Sequence, residues 1–133
     1  MAVTYYCPSC WREVGSALAC PACGAELQNF SKESYEEKLI RALRHPEPTV
    51  PVRAATILGE LRSRSAVEQL IEVAVSSSDS YIQEAAVVAL GRIGDSKALS
   101  CLARLRRDGS LRVGIAAERA LKTLERVPNA SKR

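Results

Sequence analysis

Four cysteines near the start of the chain have the residue type and spacing that metal binding requires. They form two pairs, Cys7-x-x-Cys10 and Cys20-x-x-Cys23, and residues 11–19 separate the pairs. Two thiolates two residues apart lie on one tight turn, so two such turns can supply four sulfur ligands to one tetrahedral ion. The sequence therefore predicts one metal centre whose ligands are Cys7, Cys10, Cys20 and Cys23.

The predicted centre should be structural, because four protein thiolates leave no coordination position open for a substrate. Pro8 and Pro21 stiffen the two turns, and Gly24 follows the second pair, where a positive φ is often needed. We expect one zinc ion per chain. Two disulfides, or thiols that are simply buried, are the alternative. Iron bound by similar turns is a further alternative, although its cysteine pairs normally lie farther apart.

The composition sets bounds on the rest of the molecule. The chain has 133 residues and a net charge of +4, with 47% hydrophobic and 26% charged residues, as in an ordinary soluble domain. The basic excess lies in residues 76–133. No apolar run approaches the roughly 20 residues of a membrane span, and residues 1–20 lack the pattern of a secretory signal. We therefore expect a cytoplasmic protein with no membrane partner.

After residue 33, apolar residues recur at helical spacing, and turn signals divide them into short helices. Within 81–106, for example, Ile82, Ala86 and Leu90 share one helix face, and Gly94 begins the turn to the next helix. Similar stripes predict helices that begin near Ser34 and Val50 and helices over 66–75, 97–107 and 111–126. The expected helix caps are Ser34-x-x-Glu37, Ser65-x-x-Glu68 and Ser80-x-x-Gln83.

The helical part of the chain is internally repetitive. Segment 54–61 matches 86–93 at a displacement of 32 residues. Segment 116–124 repeats the same pattern, displaced by 31 residues from the second copy. A period near 31 residues that holds two helices is typical of an α-solenoid. The alanine and leucine positions are expected to form the core between layers. Cys101 falls on the same buried side of its helix, so we interpret it as a small core residue and not as a nucleophile.

Two families resemble parts of this sequence. Residues 5–27, with the pattern CPxC…CPxCG, resemble the short zinc ribbons, except that Trp11 stands where the first turn normally has glycine. Residues 33–126, with the pattern AAxxALGxIGDxxAxxxL, resemble the short HEAT-like repeats that include those of phycobilisome bilin lyases. In the first copy Ser63-Arg64-Ser65 replaces the Gly-Asp-Ser turn, so that turn is expected to bend differently. The third copy has only its first helix.

The expected fold is mainly α, an α-solenoid of HEAT-like helical hairpins with a small N-terminal zinc-ribbon β-hairpin. The ribbon occupies 1–30, about two and a half repeats occupy 31–127, and 128–133 form a flexible tail. A strand is expected at Val3, Tyr5 and Tyr6. Trp11, Val14, Leu18 and Leu27 are expected to pack around the metal and against the first helix. The alternative is an exposed aromatic patch of Tyr5, Tyr6 and Trp11 that docks a partner or a nucleotide base.

The HEAT-like resemblance implies a binding surface. In such arrays the second helix of each hairpin tends to line the concave side, and here its exposed positions would run from acidic to basic. These candidate partner residues are Glu68, Gln69, Glu72, Lys97, Arg104 and Arg107. The alternative is that they are ordinary solvated helix faces. We interpret the chain as a non-catalytic zinc-binding adaptor or scaffold for a charged protein partner.

Two other functions stay open. The first is nucleic-acid binding through the ribbon and a basic cluster, although residues 82–133 contain no aromatic side chain for base stacking. The second, a lyase-like or accessory enzyme, is less expected, because the single histidine, His45, has no acid, base or nucleophile at a recognisable spacing. No small-molecule substrate is evident. The basic cluster consists of Arg104, Arg106, Arg107 and Arg112.

The oligomeric state depends on the outer side of the last helix. Arg119, Lys122 and Arg126 either make that side a polar cap or leave an apolar flank that a second copy covers.

Overall fold

Two short strands precede six α-helices in residues 5–14, 19–26 and 33–126, which are the residues that this computed structural model describes. Strands β1 (Tyr5–Tyr6) and β2 (Glu13–Val14) pair antiparallel. Within these ranges no helix is both long enough and apolar enough to cross a membrane. The helices are α1 (Tyr35–Ala42), α2 (Thr49–Glu60), α3 (Val67–Ser76), α4 (Ser80–Ile93), α5 (Leu99–Asp108) and α6 (Leu111–Arg126).

This architecture confirms the predicted mainly α fold with a small N-terminal hairpin. Each predicted helix is present, with ends that differ by a few residues from the expected ones. The predictions about Val3, Leu18, Leu27 and the tail 128–133 lie outside the described residues.

The helix caps only partly follow the sequence signals. Ser34 caps α1 as predicted, because its Oγ accepts a hydrogen bond from the amide of Glu37 at 3.2 Å. At α4 the predicted cap is wrong, since Asp79 and not Ser80 occupies the cap position. The Asp79 carboxylate accepts hydrogen bonds from the second and third amides that follow it, at 2.8 and 3.3 Å.

The turn after α2 has the same shape as the turn after α4, although its residues differ. Gly94 ends α4 with a φ of 76°, and Arg62, at the matching position, has a φ of 52°. A short 3-10 turn follows each of them, at Arg64–Ala66 and at Ser96–Ala98. The different bend expected for the first copy is therefore wrong. Arg62 adopts the left-handed backbone that glycine adopts freely, at a cost of roughly 1–2 kcal/mol.

Hydrogen bonds to one carboxylate hold the turn after α2 against α1. The hydroxyls of Ser63 and Ser65 both donate to Glu36 Oε2, at 2.7 and 3.1 Å. Ser63 is buried, so its hydroxyl needs such a partner. Ser65 therefore does not cap α3, and the predicted capping box that joins it to Glu68 is wrong.

The helices pack as three pairs. Helix α1 lies against α2, α3 against α4, and α5 against α6. By contrast, α2 makes few contacts with α3, and α4 makes few with α5, although a turn connects the two helices in each case. Helices α1 and α2 thus form a first pair, and the count of about two and a half repeats over 31–127 stays a prediction.

Helices α2, α4 and α6 form a layer with unusually close spacing. A Cβ atom added to Gly59 would lie 2.9 Å from the Cα of Ala89, and one added to Gly91 would lie 2.9 Å from the Cβ of Ala120. In the other layer α3 and α5 touch only slightly. A two-layer stack bends toward its more closely spaced layer. The concave side therefore belongs to α2, α4 and α6, which are the second helices of the three pairs, and not to the helices 66–75 and 97–107 on which the candidate partner residues were predicted.

A single hydrophobic core runs through all six helices. Leu58, Leu70, Leu90 and Leu102 are fully buried in it. Cys101 belongs to the same core, and its burial raises the pKa of its thiol. Its interpretation as a small core residue is confirmed.

Helix α6 is the last described helix of the closely spaced layer. Lys122 occupies the position in α6 that matches Gly59 in α2 and Gly91 in α4. Its side chain is exposed and forms an ion pair with Glu118 at 3.7 Å. A lysine at this position holds off a further helix at the same spacing, which favours the polar cap over a second copy on that side of α6.

Replacing Gly59 by alanine should lower the free energy of unfolding by about 1–3 kcal/mol, because the added methyl group meets the backbone of Ala89. Thermal unfolding followed by circular dichroism measures the change. Gly114→Ala is the matched control within α6. Its Cβ would meet nothing closer than 3.4 Å, so the better helix propensity should stabilise the protein by roughly 0.5–1 kcal/mol. Equal effects of the two changes would contradict the close packing.

Candidate metal centre and binding surface

The four N-terminal cysteines converge at one point. Their Sγ atoms all lie within 4.8 Å of one another. The Sγ atoms of Cys7 and Cys23 are 3.7 Å apart, as are those of Cys10 and Cys20. All four are free thiols. The structure thus brings together the complete predicted ligand set.

This spacing fits a tetrahedral metal ion. Four sulfur atoms at the usual zinc–sulfur distance of about 2.3 Å lie about 3.8 Å from one another. The distances of 3.7 Å agree with that value, whereas a disulfide would bring two sulfurs to about 2 Å. The four cysteines can therefore hold a metal ion, and they would fill its coordination shell.

Two equivalent turns present the sulfur atoms. In the first turn the amide of Trp11 donates to the carbonyl of Cys7 at 2.8 Å, and in the second the amide of Gly24 donates to the carbonyl of Cys20 at 2.9 Å. The amide of the first cysteine in each turn donates to the carbonyl five residues later, at 2.9 and 2.8 Å. The two halves of the centre are therefore built alike.

Trp11 takes the backbone conformation that its glycine counterpart has. Its φ is 59°, close to the 79° of Gly24. The departure from the zinc-ribbon pattern therefore leaves the turn geometry intact, with a strain of roughly 1–2 kcal/mol. The indole ring lies 5.0 Å from the ring of His45, between centroids. Trp11 thus combines a strained backbone with a contact to the helical array.

His45 joins the ribbon to the helices. It follows α1, and its imidazole also contacts the ring of Tyr6, edge-on at 4.8 Å between centroids. Its Nδ1 accepts a hydrogen bond from the amide of Glu47 at 3.0 Å, so the backbone after α1 orients the ring. Tyr6 and Trp11 therefore pack at the end of the first helix, as was expected for Trp11. Val14 is buried beside the cysteines, also as expected.

The thiols differ in how readily they ionise. Backbone hydrogen bonds, above all at Cys23, lower the pKa of Cys20 to about 6. At Cys10 the backbone hydrogen bond at Arg12 favours the thiolate, but burial and the three neighbouring thiols together raise the pKa to about 11. Thiolates at this distance repel one another, so a bound dication would stabilise the fully deprotonated set.

The candidate partner residues lie on α3 and on the segment 97–107. All except the half-buried Gln69 are exposed. Two of them already have a partner within the chain: Arg44, just after α1, pairs with Glu72 at 2.8 Å and donates to Gln69 at 3.5 Å. The acidic end of this surface is thus partly neutralised. The set stays a prediction.

A cleft of about 460 Å³ separates the ribbon from α1. Trp11 and Ile40 supply its apolar walls, and Arg41 and Arg44 also line it. The Nε of Arg41 donates to both carboxylate oxygens of Glu33 at 2.8 and 2.7 Å, and Arg44 is paired as described above. The chain's own carboxylates therefore neutralise the cations of this cleft.

The four candidate nucleic-acid arginines differ in their contacts within the chain. Arg104, Arg106 and Arg107 are exposed near the end of α5 and form no salt bridge with the residues that the structure describes. Arg112, near the start of α6, is paired within the chain, because its Nη1 donates to Glu84 at 3.1 Å.

The exposed surface of α2, α4 and α6, which we call the inner face, was not predicted from the sequence. Two grooves cross it, of about 320 Å³ between α2 and α4 and about 300 Å³ between α4 and α6. Three large apolar or aromatic side chains stand on it: Tyr81, Val88 and Ile115 are 61%, 42% and 46% exposed. The available signal was Val88, an apolar residue that lies off the buried stripe of its helix.

Ion pairs cross both grooves of the inner face. The guanidinium of Arg112 stands 4.4 Å from the ring centroid of Tyr81. The hydrogen bond to Glu84, with a smaller contribution from Tyr81, raises the pKa of Arg112. On the other side, Arg92 lies 3.9 Å from Glu60. These pairs link α4 to both of its neighbours.

Comparison with known proteins identifies the helical part. A family model described as HEAT repeats matches residues 36–122, which span α1 to α6 almost completely. No curated protein matches the chain. Because the matched segment covers most of the sequence and coincides with the three helix pairs, the chain belongs to the HEAT-repeat family.

Proposed function

We propose that this protein is a non-catalytic adaptor in which a zinc ribbon is fused to HEAT repeats that bind another protein. The observation that carries the proposal is the inner face, where Val88 and Ile115 are exposed beside two grooves. Exposed apolar groups rimmed by charged residues are typical of protein–protein interfaces. Stacked helical repeats present extended concave surfaces of this kind to their partners.

Zinc is the metal that we propose for the four cysteines. Closed sites of four thiolates with tetrahedral geometry are typical of structural zinc. The buried residues of the ribbon are few, namely Cys7, Val14 and Cys20 in the part of it that the structure describes. Such a small core does not fold a module by itself, whereas structural zinc contributes on the order of 10–16 kcal/mol of apparent binding free energy.

The side chains that catalysis would most readily use have structural roles, which supports a non-catalytic function. The imidazole of His45 accepts a backbone hydrogen bond and packs against Tyr6 and Trp11. The thiol of Cys101 is buried, and burial raises its pKa, so it is a poor nucleophile. The remaining cysteines are the proposed metal ligands.

The purified protein should contain one zinc ion per chain, and a chelator should unfold the ribbon but leave the helices folded. Trp11 is the only tryptophan and lies between ribbon and helices, so its fluorescence should change on chelation. The helical circular dichroism should change little. Cys20→Ser should lower the zinc content, whereas the control Cys101→Ala should not. Metal-free protein with unchanged fluorescence, or with two disulfides, would show that the zinc proposal is wrong.

Partner binding should depend on the inner face. In pull-downs from extracts of the source cells, Val88→Glu combined with Ile115→Glu should reduce capture of the main partner about tenfold or more, because a charge is placed in each groove. The matched control is Glu68→Lys combined with Arg104→Glu, which changes the α3 and α5 surface. If only the control variant loses the partner, the surface predicted from the sequence is the correct one.

Nucleic-acid binding is the second candidate function, favoured by the three exposed arginines Arg104, Arg106 and Arg107. If all three contact phosphates of duplex DNA, the logarithm of the binding constant should fall with the logarithm of salt concentration with a slope of about −3. Charge reversal of all three should abolish a mobility shift, and Arg112→Gln should not, because Arg112 pairs with Glu84. A shift that survives the triple reversal, or no shift at low salt, removes this candidate.

A further inference from the structure

The apolar part of the inner face is continuous across both grooves. Val88 lies on the ridge between the grooves and lines both of them. Val52 and Thr56 of α2 line the first groove, while Ile115 and Ala116 of α6 line the second. An apolar side chain that enters either groove therefore meets Val88 on one side and a further apolar group on the other.

The charge of the inner face is unbalanced. The carboxylates of Glu60 and Glu84 are paired with Arg92 and Arg112, at 3.9 and 3.1 Å. Arg119 lines the groove between α4 and α6, is exposed, and forms no salt bridge within the described part of the chain. One turn of α6, about 6 Å, separates it from Ile115. A cation without a counter-charge therefore stands beside the apolar groove.

The grooves suit a rod-like ligand. Helices α2, α4 and α6 lie side by side, so the grooves between them run along the ridge of α4. The ridge residues Glu84, Val88 and Arg92 follow one another every four residues. A helix laid along this ridge presents side chains at the same spacing. An extended segment would instead gain affinity by pairing with the edge of a sheet, and this face is formed by helices.

We propose that the inner face binds an acidic amphipathic helix of the partner protein. Apolar side chains of that helix fill the two grooves beside Val88, and one of its carboxylates pairs with Arg119. A basic helix would instead meet three guanidinium groups, those of Arg92, Arg112 and Arg119. The inference rests on the proposed adaptor function, because it names the kind of segment that the adaptor binds.

A displayed library of helix-forming peptides tests the inference. The bait is the full-length protein loaded with zinc, and the Val88→Glu variant serves for counter-selection. Enriched peptides should combine apolar residues at i, i+3 or i+4, and i+7 with aspartate or glutamate beside that row. Enrichment of neutral or basic peptides would overturn the inference.

Two variants then separate this inference from the adaptor proposal. A labelled synthetic peptide with the enriched sequence is titrated in fluorescence anisotropy. Arg119→Glu should weaken its binding about tenfold or more, and a peptide whose acidic residues are replaced by lysine should bind this variant better than the wild type. Lys122→Glu is the matched control on the same helix and should change the affinity little, because Lys122 pairs with Glu118 outside the grooves.

The outcomes are distinct. If binding requires Val88 but ignores Arg119 and the charge of the peptide, the acidic partner is wrong and the adaptor function stands. If no peptide is enriched, the helix proposal fails, and the pull-down with the variant of Val88 and Ile115 decides the adaptor proposal separately. Circular dichroism and zinc content of each variant establish that the exposed substitutions leave the protein folded.

Discussion

The helical array depends on two contacts in which a glycine of one helix faces an alanine of the next. Gly59 meets Ala89, and Gly91 meets Ala120, and neither site has room for a Cβ atom on the glycine, so α4 lies close to both α2 and α6. At that spacing the leucines beside the glycines, such as Leu90, lose all exposure to solvent. The same two contacts make one layer tighter than the other. Curvature, and with it the position of the inner face, follows from them.

The features that could be predicted from the sequence are those that depend on neighbours along the chain. Helix existence follows from apolar periodicity, and the metal ligands follow from two spacings of three residues. The features that were not predicted correctly depend on contacts between residues distant in sequence, or on a pattern that allows more than one interpretation. Ser65 bonds to Glu36, 29 residues away, in place of capping its own helix. The repeat by itself does not define which helices pair, because a period near 31 residues is the same whichever turn is taken as the start of the repeat.

Trp11 shows how a departure from a local pattern can have a distant explanation. Its turn requires a positive φ, which glycine would supply without strain. A glycine there would have no side chain to contact His45, and of the two ring contacts in the described part of the ribbon the one with Tyr6 would remain. The strain at Trp11 thus accompanies a joint between two modules whose hydrophobic cores are separate. The sequence showed the departure, but only the fold shows the contact.

The residues of the inner face and those of the core behind it are determined by different constraints. Packing determines the alanines, leucines and close glycines of α4, because any larger group there would push two helices apart. It does not determine positions 81, 84, 88 and 92, which point away from the core and share grooves with the neighbouring helices. A charged residue at Val88 would satisfy folding equally well and would keep the surface polar. A valine there, between ion pairs that link α4 to both neighbours, is therefore better explained by contact with another protein than by folding.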